Sequence, residues 1–435
     1  MMALKLKGVH VPHRKNTANM APIKMDSPKS VTIPTAMHIG AAAKPIVKVG
    51  DSVKIGTLIA EQSGFVSSAV HASISGTVTA ISDILLSSGG TAPAITIESD
   101  GEMNVDENII EPKINNREDL IDAIKNSGIV GLGGAGFPTY VKFATDKEIE
   151  YLVINGAECE PYITSDSVTM TENFEDIAYA INLLTKYFNI KNVIIGIENN
   201  KSVAIKIMKN MAKTLTNASV KVLPSLYPQG AEKVLVYHTT GRKIPLGKLP
   251  IDVGCVVANV TTISAIGKYL KTGIPLVEKC VTVDGSAVAE PKNVITPIGT
   301  SIKDLVEFSG GLKCEAKKVL YGGPMMGISV PNMELPIIKN TNAILVLNEK
   351  EATLPKTTAC IKCGSCTNHC PLGINPRAIT KAYKNDDFSA LEELGVNLCM
   401  ECGCCSFVCP AKIPLVQNNR LSKQKLKEYK LKEEK

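Results

Sequence analysis

Two stretches, "CIKCGSCTNHCP" (residues 360–371) and "CMECGCCSFVCP" (residues 399–410), repeat one spacing and constrain this chain more than any other feature. The first holds Cys360, Cys363, Cys366 and Cys370 ahead of Pro371; the second holds Cys399, Cys402, Cys405 and Cys409 ahead of Pro410. Thiols this crowded serve either as disulfides or as metal ligands. Disulfides across two- and three-residue gaps would close strained loops. The first twenty residues carry Lys5, Lys7, His10, Arg14 and Lys15 without the apolar core of a secretory signal. The thirteen cysteines are therefore expected in a reducing compartment, with their thiols free for metal.

Both runs fit C-x2-C-x2-C-x3-C-P, the ferredoxin pattern for [4Fe–4S] clusters. Three cysteines at i, i+3 and i+6 wrap three corners of a cubane, and the fourth leads into a proline turn and reaches the other cluster. Cys360, Cys363, Cys366 and Cys409 are expected to hold one cluster, and Cys399, Cys402, Cys405 and Cys370 the other. Gly364 and Gly403 leave room for backbone to approach the inorganic core. A pair of zinc ribbons is the alternative, but zinc knuckles pair two C-x2-C units across a longer spacer. Cys404 fits no ligand position and is expected to pack beside a cluster. Cys159, Cys255, Cys280 and Cys314 are scattered and read as small buried hydrophobes. The segment between the runs reads as helices covering the clusters.

At 435 residues the chain is expected to form two to four domains. No stretch approaches eighteen apolar residues, the length needed to span a bilayer. Residues 411–435 hold eight Lys or Arg against three Glu, a local 8 − 3 = +5 out of a net +6. The remainder is nearly neutral, without the basic face and interleaved aromatics of a nucleic-acid binder. The tail "RLSKQKLKEYKLKEEK" reads as a helix for an anionic membrane or acidic partner, or as a solvated helix that frays.

A second motif, "GLGGAGFPTYVKF" (residues 131–143), follows a helix capped by Asn116 and ended near Gly128. Pro138 opens another helix, so the loop's backbone N–H groups are offered to a phosphate at a helix N-terminus. The strand in "EYLVINGAECEP" delivers Asn155, Glu158 and Glu160 to a loop. Helices near 173–188 and 200–214 then alternate with strands "NVIIGIE" and "VKVLPS". This is an α/β domain with ligands expected at the strand C-terminal ends.

"GLGGAGFPTYVK", "NGAECEP", "YPQGAEKVL" and "ANVTTI", in this order, resemble the FMN- and NADH-binding core of the complex I flavoprotein subunit. The two cysteine runs bring the chain closer to the C subunit of Rnf complexes, membrane-bound ferredoxin:NAD oxidoreductases. The resemblance implies that Gly131, Gly133, Gly134 and Gly136 surround the FMN phosphate and ribityl chain, with Lys142 near the phosphate. Asn155 and Asn259 would hydrogen-bond the flavin region. Phe137, Glu158, Glu160 and Glu232 would line the nicotinamide side. Leu132, Ala157 and Ala231 depart from complex I, where a basic residue, an acid and a second glutamate stand. The resemblance also implies noncovalent FMN, two [4Fe–4S] clusters, NAD(H) as substrate and no catalytic side chain beyond the cofactors. The subunit would sit peripherally on the cytoplasmic face of the bacterial membrane. It would dock on other Rnf subunits, be linked to ferredoxin indirectly, contact no nucleic acid and contribute no transmembrane segment.

Residues 30–98 contain short β segments broken by glycine and resemble the barrel-sandwich hybrid of lipoyl and biotinyl carriers, but "SGFVSSAV" lacks the modifiable lysine. Residues 276–348 resemble a soluble-ligand-binding β-grasp module, with Met325–Met326 read as turn packing. The expected architecture is multidomain α/β and β. A barrel-sandwich hybrid covers 1–110, a Rossmann-like FMN/NADH domain 111–275 and the β-grasp-type module 276–350. An α-helical two-cluster ferredoxin domain covers 351–415 and a basic tail 416–435. Two other functions share these motifs: a soluble cobalamin reductase of bacterial microcompartments and a non-catalytic iron–sulfur adaptor. The N-terminal position of the barrel disfavours the first, and the intact glycine loop disfavours the second.

Overall fold

The computed structural model describes residues 7–87 and 89–433. The α/β domain is built on a four-stranded sheet, ordered Ala218–Leu223, Asn192–Glu198, Tyr151–Gly156, Cys255–Asn259, with every pairing parallel. Parallel strands covered on both faces need near-continuous apolar runs, and Leu152, Val153, Ile154, Val193, Ile195 and Ile197 are fully buried here. Helix Phe174–Phe188 presents Ile177, Ala180, Ile181, Leu184 and Phe188 to the core at helical spacing. It packs on Val260–Thr272 so closely that a Cβ at Gly267 would stand 1.9 Å from the Asp176 carbonyl oxygen. Asn116 caps Arg117–Asn126 by accepting the Asp119 N–H at 2.8 Å. The helix opened by Pro138 is a single short element, Thr139–Phe143.

The barrel consists of two small sheets. One is ordered Ser30–Pro34, Thr91–Ser99, Gly76–Leu85, Ser52–Val53; the other Lys44–Pro45, Leu58–Glu61, Val70–His71. The position of a carrier's modifiable lysine is packed in place. Ser68 and Ala69 are buried, and the Ser68 hydroxyl donates to the Gly128 carbonyl at 3.1 Å. Residues 7–24 do not lie in this barrel. Val9 pairs with Tyr227, and Ile23–Lys24 forms the edge strand of the third module's sheet. The segment "HVPHRKNTANMAPIK" has too little apolar alternation for a core of its own and runs as a strap across its neighbours.

The third module has a six-stranded mixed sheet ordered Ile23–Lys24, Lys292–Pro297, Glu278–Asp284, Ala343–Leu347, Lys318–Tyr321, Ile328–Val330. The duplicated cysteine runs produce a duplicated backbone. Lys362 and Glu401 have φ of 57° and 59°, Gly364 and Gly403 have φ of 78° and 79°, and short helices Ser365–Asn368 and Cys404–Phe407 follow. Helix Leu415–Glu433 then folds back over this domain. Asn419, Ser422 and Leu426 are buried, Tyr429 stacks on Phe388 at 4.1 Å, and Lys425 and Lys430 pair with Asp386 and Glu392. The first three turns of the tail helix are thus packed on the domain, while residues 427–433 are exposed. Arg420, Lys423, Lys425 and Lys430 meet acids of their own domain, because the helix carries an apolar and small-polar face as well as lysines.

Candidate flavin and iron–sulfur site

The glycine loop is a tight hairpin. The Gly131 N–H donates to the Phe137 carbonyl at 2.8 Å and the Thr139 N–H to the Ile129 carbonyl at 3.2 Å. Each neighbouring module grips it. The Leu132 N–H donates to Thr262 Oγ1 at 3.0 Å, and Lys279 Nζ donates to the Leu132 carbonyl at 2.7 Å. Asn340 Nδ2 donates to the Gly134 carbonyl at 2.8 Å, and the Ile39 N–H to that of Gly136 at 3.1 Å. A Cβ at Gly133 would meet Asn259 Nδ2 at 2.3 Å, so any side chain there would have to displace the Asn259 amide. A Cβ at Gly134 would meet nothing within 4 Å. Gly133, Gly134 and Ala135 are exposed, and among the described residues no acceptor takes their N–H groups. Three open amides in one turn are the kind of donors that an anion takes up. The five-residue helix behind it aligns few peptide dipoles, so the donors offered here are the loop amides rather than a helix N-terminus.

Asn155 and Asn259 stand side by side as register partners at the C-terminal edge of the sheet. Asn155 Nδ2 donates to the Gly230 carbonyl at 2.8 Å. Asn259 Oδ1 caps Val260–Thr272 by accepting the Thr261 N–H, and its Nδ2 donates to Asp166 at 2.8 Å. The Thr261 hydroxyl also donates to Asp166, at 2.7 Å, making this carboxylate a hub that sequence reading missed.

The acidic loop departs from expectation. Glu158, at φ 48°, is buried and caps helix Ser165–Glu172 by accepting the Asp166 N–H and the Ser167 hydroxyl, each at 2.6 Å. Glu160 accepts the Met325 and Met326 N–H groups at 3.0 and 2.7 Å, and burial pushes its carboxyl up to about 7. Neither lines an open nucleotide surface. Two buried ammonium groups hold the loop's carbonyls: Lys15 donates to Glu158, Glu160 and Ile163, and Lys201 to Ala157 at 2.7 Å. Half-exposed Glu232 remains at the start of helix Glu232–Thr240, 3.5 Å from Lys142 Nζ, which also donates to the Val257 carbonyl at 2.8 Å. The structure thus pairs an expected phosphate-side residue with an expected nicotinamide-side one. Phe137 is half-buried at the end of the glycine loop.

In the C-terminal domain Cys370, Cys399, Cys402 and Cys405 line one cavity with Pro371, Leu372, Val416 and Asn419. Among the described residues no three His, Cys, Asp or Glu side chains stand close enough to hold a single metal ion. Cys404 lines the same cavity, whose walls are otherwise largely apolar. Asn419 Nδ2 lies 3.3 Å from Cys399 Sγ, and Lys423 Nζ donates to the Cys399 carbonyl at 2.5 Å. Cys366 packs in one group with Cys409, whereas Cys360 and Cys363 are exposed. The α/β domain reaches this region through Tyr227, which is buried and donates its hydroxyl to the Cys402 carbonyl at 2.6 Å. Cys404 is buried beside Tyr227 and Val9. Met325, held at its N–H by Glu160, lies against Gly403. Of the scattered cysteines, Cys255 is buried and Cys159 and Cys280 are half-buried. Cys314 is exposed, contrary to expectation, because it follows "SGGLK" in a turn.

A sheet-edge anion loop joined through a buried tyrosine to a paired cysteine domain defines a flavin and iron–sulfur electron-transfer protein. Family models bear this out: the Nuo51 FMN-binding domain matches residues 124–268, the RnfC barrel sandwich hybrid domain 5–102, the SLBB domain 280–329, and the 4Fe-4S dicluster domain 356–413. The chain is 41% identical to the C subunit of the proton-translocating ferredoxin:NAD(+) oxidoreductase complex of Clostridium ljungdahlii, over 89% of this chain and 86% of that one. It is 39% identical to the C subunit of the Na(+)-translocating complex of Acetobacterium woodii, over 96% of each. It is 37% identical to the C subunit of the ion-translocating oxidoreductase complex of Rhodobacter capsulatus, over 97% and 83%. The chain belongs to the family of C subunits of ion-translocating ferredoxin:NAD(+) oxidoreductase complexes. Its cofactors are FMN and two [4Fe–4S] clusters, and its role is electron transfer linked to NAD(H). The fold is shared with a chain of an NAD+-reducing [NiFe]-hydrogenase in the air-oxidized state, at TM-score 0.51 and 17% identity over 72% of this chain and 62% of that one.

Proposed function

We propose that this subunit moves electrons between NAD(H) and a membrane-bound complex along one internal path. FMN is held on Gly131, Gly133, Gly134 and Gly136, with Asn155 and Asn259 beneath it at the sheet edge. When bound, FMN exchanges hydride with NAD(H) and electrons singly with the clusters. The protein positions these partners and excludes water. Glu232 and Phe137 face the nicotinamide side, with Lys142 orienting Glu232.

The contact between Tyr227 and Cys402 carries this reading. It supports a cluster on Cys370, Cys399, Cys402 and Cys405 as the neighbour of the flavin domain. The cluster of Cys360, Cys363, Cys366 and Cys409, with two exposed ligands, faces a partner. That partner belongs to a membrane complex on the cytoplasmic face, with ferredoxin acting at a distance from this chain. No described helix is long and apolar enough to cross a membrane, so the ion pathway is assigned to other subunits.

Anoxic purification followed by EPR tests the path. Cys370→Ser is expected to alter the signal of the cluster held mainly by the second run and to leave the first-run cluster unchanged. A change confined to the first-run cluster would reverse the ligand assignment.

A further inference from the structure

We infer that Lys279 supplies the buried positive charge that holds the FMN phosphate on the glycine loop, an assignment that rests on the flavin site proposed above. Lys279 lies on strand Glu278–Asp284 of the third module, outside the α/β domain, and is 4% exposed. Its ammonium has three hydrogens to donate. Among the described residues one acceptor takes them, the Leu132 carbonyl at 2.7 Å, between Gly131 and Gly133. Asp166 is the one carboxylate acting on it, and that group already accepts from Asn259 and Thr261.

A second buried lysine shows what a satisfied one looks like. Lys339, also from the third module and 1% exposed, donates to Ser68 Oγ at 3.2 Å, the Ala69 carbonyl at 2.5 Å and the Gly128 carbonyl at 2.7 Å. All three of its hydrogens are used within the protein. Lys142, the lysine nearest in sequence to the loop, is already matched by Glu232 and Val257. Lys279 is therefore the buried cation beside the loop with hydrogens left to donate, and an ammonium short of hydrogen-bond acceptors is costly to bury. Burial pulls it down to about 8. In the three residues after Leu132, the N–H groups of Gly133, Gly134 and Ala135 have no acceptor among the described residues. The Gly133 N–H points away from the Leu132 carbonyl that Lys279 holds, so a phosphate dianion on those amides would lie across one peptide unit from the ammonium and feel its charge through poorly screened protein.

The test uses the full chain with its clusters, stripped of flavin under anoxia, and fluorescence titration with FMN and with riboflavin, which lacks the phosphate. Lys279→Gln keeps an N–H for the Leu132 carbonyl and removes the charge. It is expected to weaken FMN binding by at least about tenfold and riboflavin binding by less than about twofold. Lys279→Arg should restore the preference for FMN. Lys339→Gln should lower thermal stability and leave the FMN-to-riboflavin ratio unchanged. Should Lys279→Gln fail to fold, the similarly sized Lys279→Met takes its place. Equal losses for both flavins, or an unchanged ratio, would reduce Lys279 to a structural tie. A similar ratio change in Lys339→Gln would show that any buried charge in this joint suffices. If the unaltered chain takes up no FMN, the flavin site itself is misplaced and this assignment falls with it.

Discussion

Gly133 and Glu160 show how much of the site depends on single residues. A Cβ at Gly133 would run into the Asn259 side chain, with Nδ2 at 2.3 Å and Cγ at 2.5 Å. Gly133→Ala should push Asn259 off Asp166 and cost about 1–3 kcal/mol of local packing. Flavin content on purification should fall at least severalfold while iron content stays unchanged, as a flavin-to-iron ratio would report. Glu160 works through its charge. Burial raises its folded carboxyl to about 7, above the ordinary value of 4.5. Between those two values the folded state holds more protons than the unfolded state, so this residue's contribution makes stability fall as pH rises from about 5 to 7. Glu158, Glu198 and Asp284 are also raised by burial and act in the same direction. Glu160→Gln should therefore flatten, without abolishing, the decline of the thermal midpoint across this range. A decline as steep as in the unaltered protein would mean that Glu160 carries no buried charge in solution.

Among the elements, the C-terminal helix matters most. Its lysines suggest a membrane or a partner, but its placement closes the cavity lined by Cys370, Cys399, Cys402 and Cys405. Asn419 approaches the Cys399 sulfur, Lys423 holds the Cys399 carbonyl and pairs with Glu401, and Leu426 closes the small core around Cys370 and Cys399. Truncation after Pro414 leaves all eight cluster cysteines in the chain. It should nevertheless cost roughly half of the iron, by opening the cavity of Cys370, Cys399, Cys402 and Cys405 to water and oxidants. Iron and sulfide analysis of the truncated protein checks this; full iron content would reduce the helix to a decoration. The point variant Asn419→Leu should keep the iron and shift that cluster's potential downward, since hydrogen bonds to cluster sulfurs help set it.

Across the molecule, the modules are joined at the flavin loop and at Tyr227. The barrel, the third module and the N-terminal strap all place side chains or backbone on residues 128–163, so the flavin domain is braced from three directions. The cysteine domain has a core of its own. Replacing Cys363 and Cys402 by alanine should therefore damage both clusters without unfolding the α/β domain. Such a protein should still bleach its flavin with NADH and reduce a small artificial acceptor. It should fail to exchange electrons with the membrane complex, measured by NADH-linked turnover after reconstitution. Full turnover would make the clusters structural.

The elements and the cofactor class were legible in the order of residues alone. The cysteine spacing, the glycine loop, the apolar runs of the parallel strands and the Asn116 cap are all local patterns, within reach of a few residues of backbone geometry. Which polar groups remain available is settled only in the folded chain. Glu158 and Glu160 look in the sequence like nucleotide contacts, but chain folding brings the N–H groups of Asp166, Ser167, Met325 and Met326 to them and uses them up. Lys142 is drawn to Glu232, ninety positions away. Lys279 lies well over a hundred residues from the loop it touches and has no motif to mark it. A buried charge is stabilised by whatever stands within a few ångströms of it, and at these positions those neighbours come from distant parts of the chain.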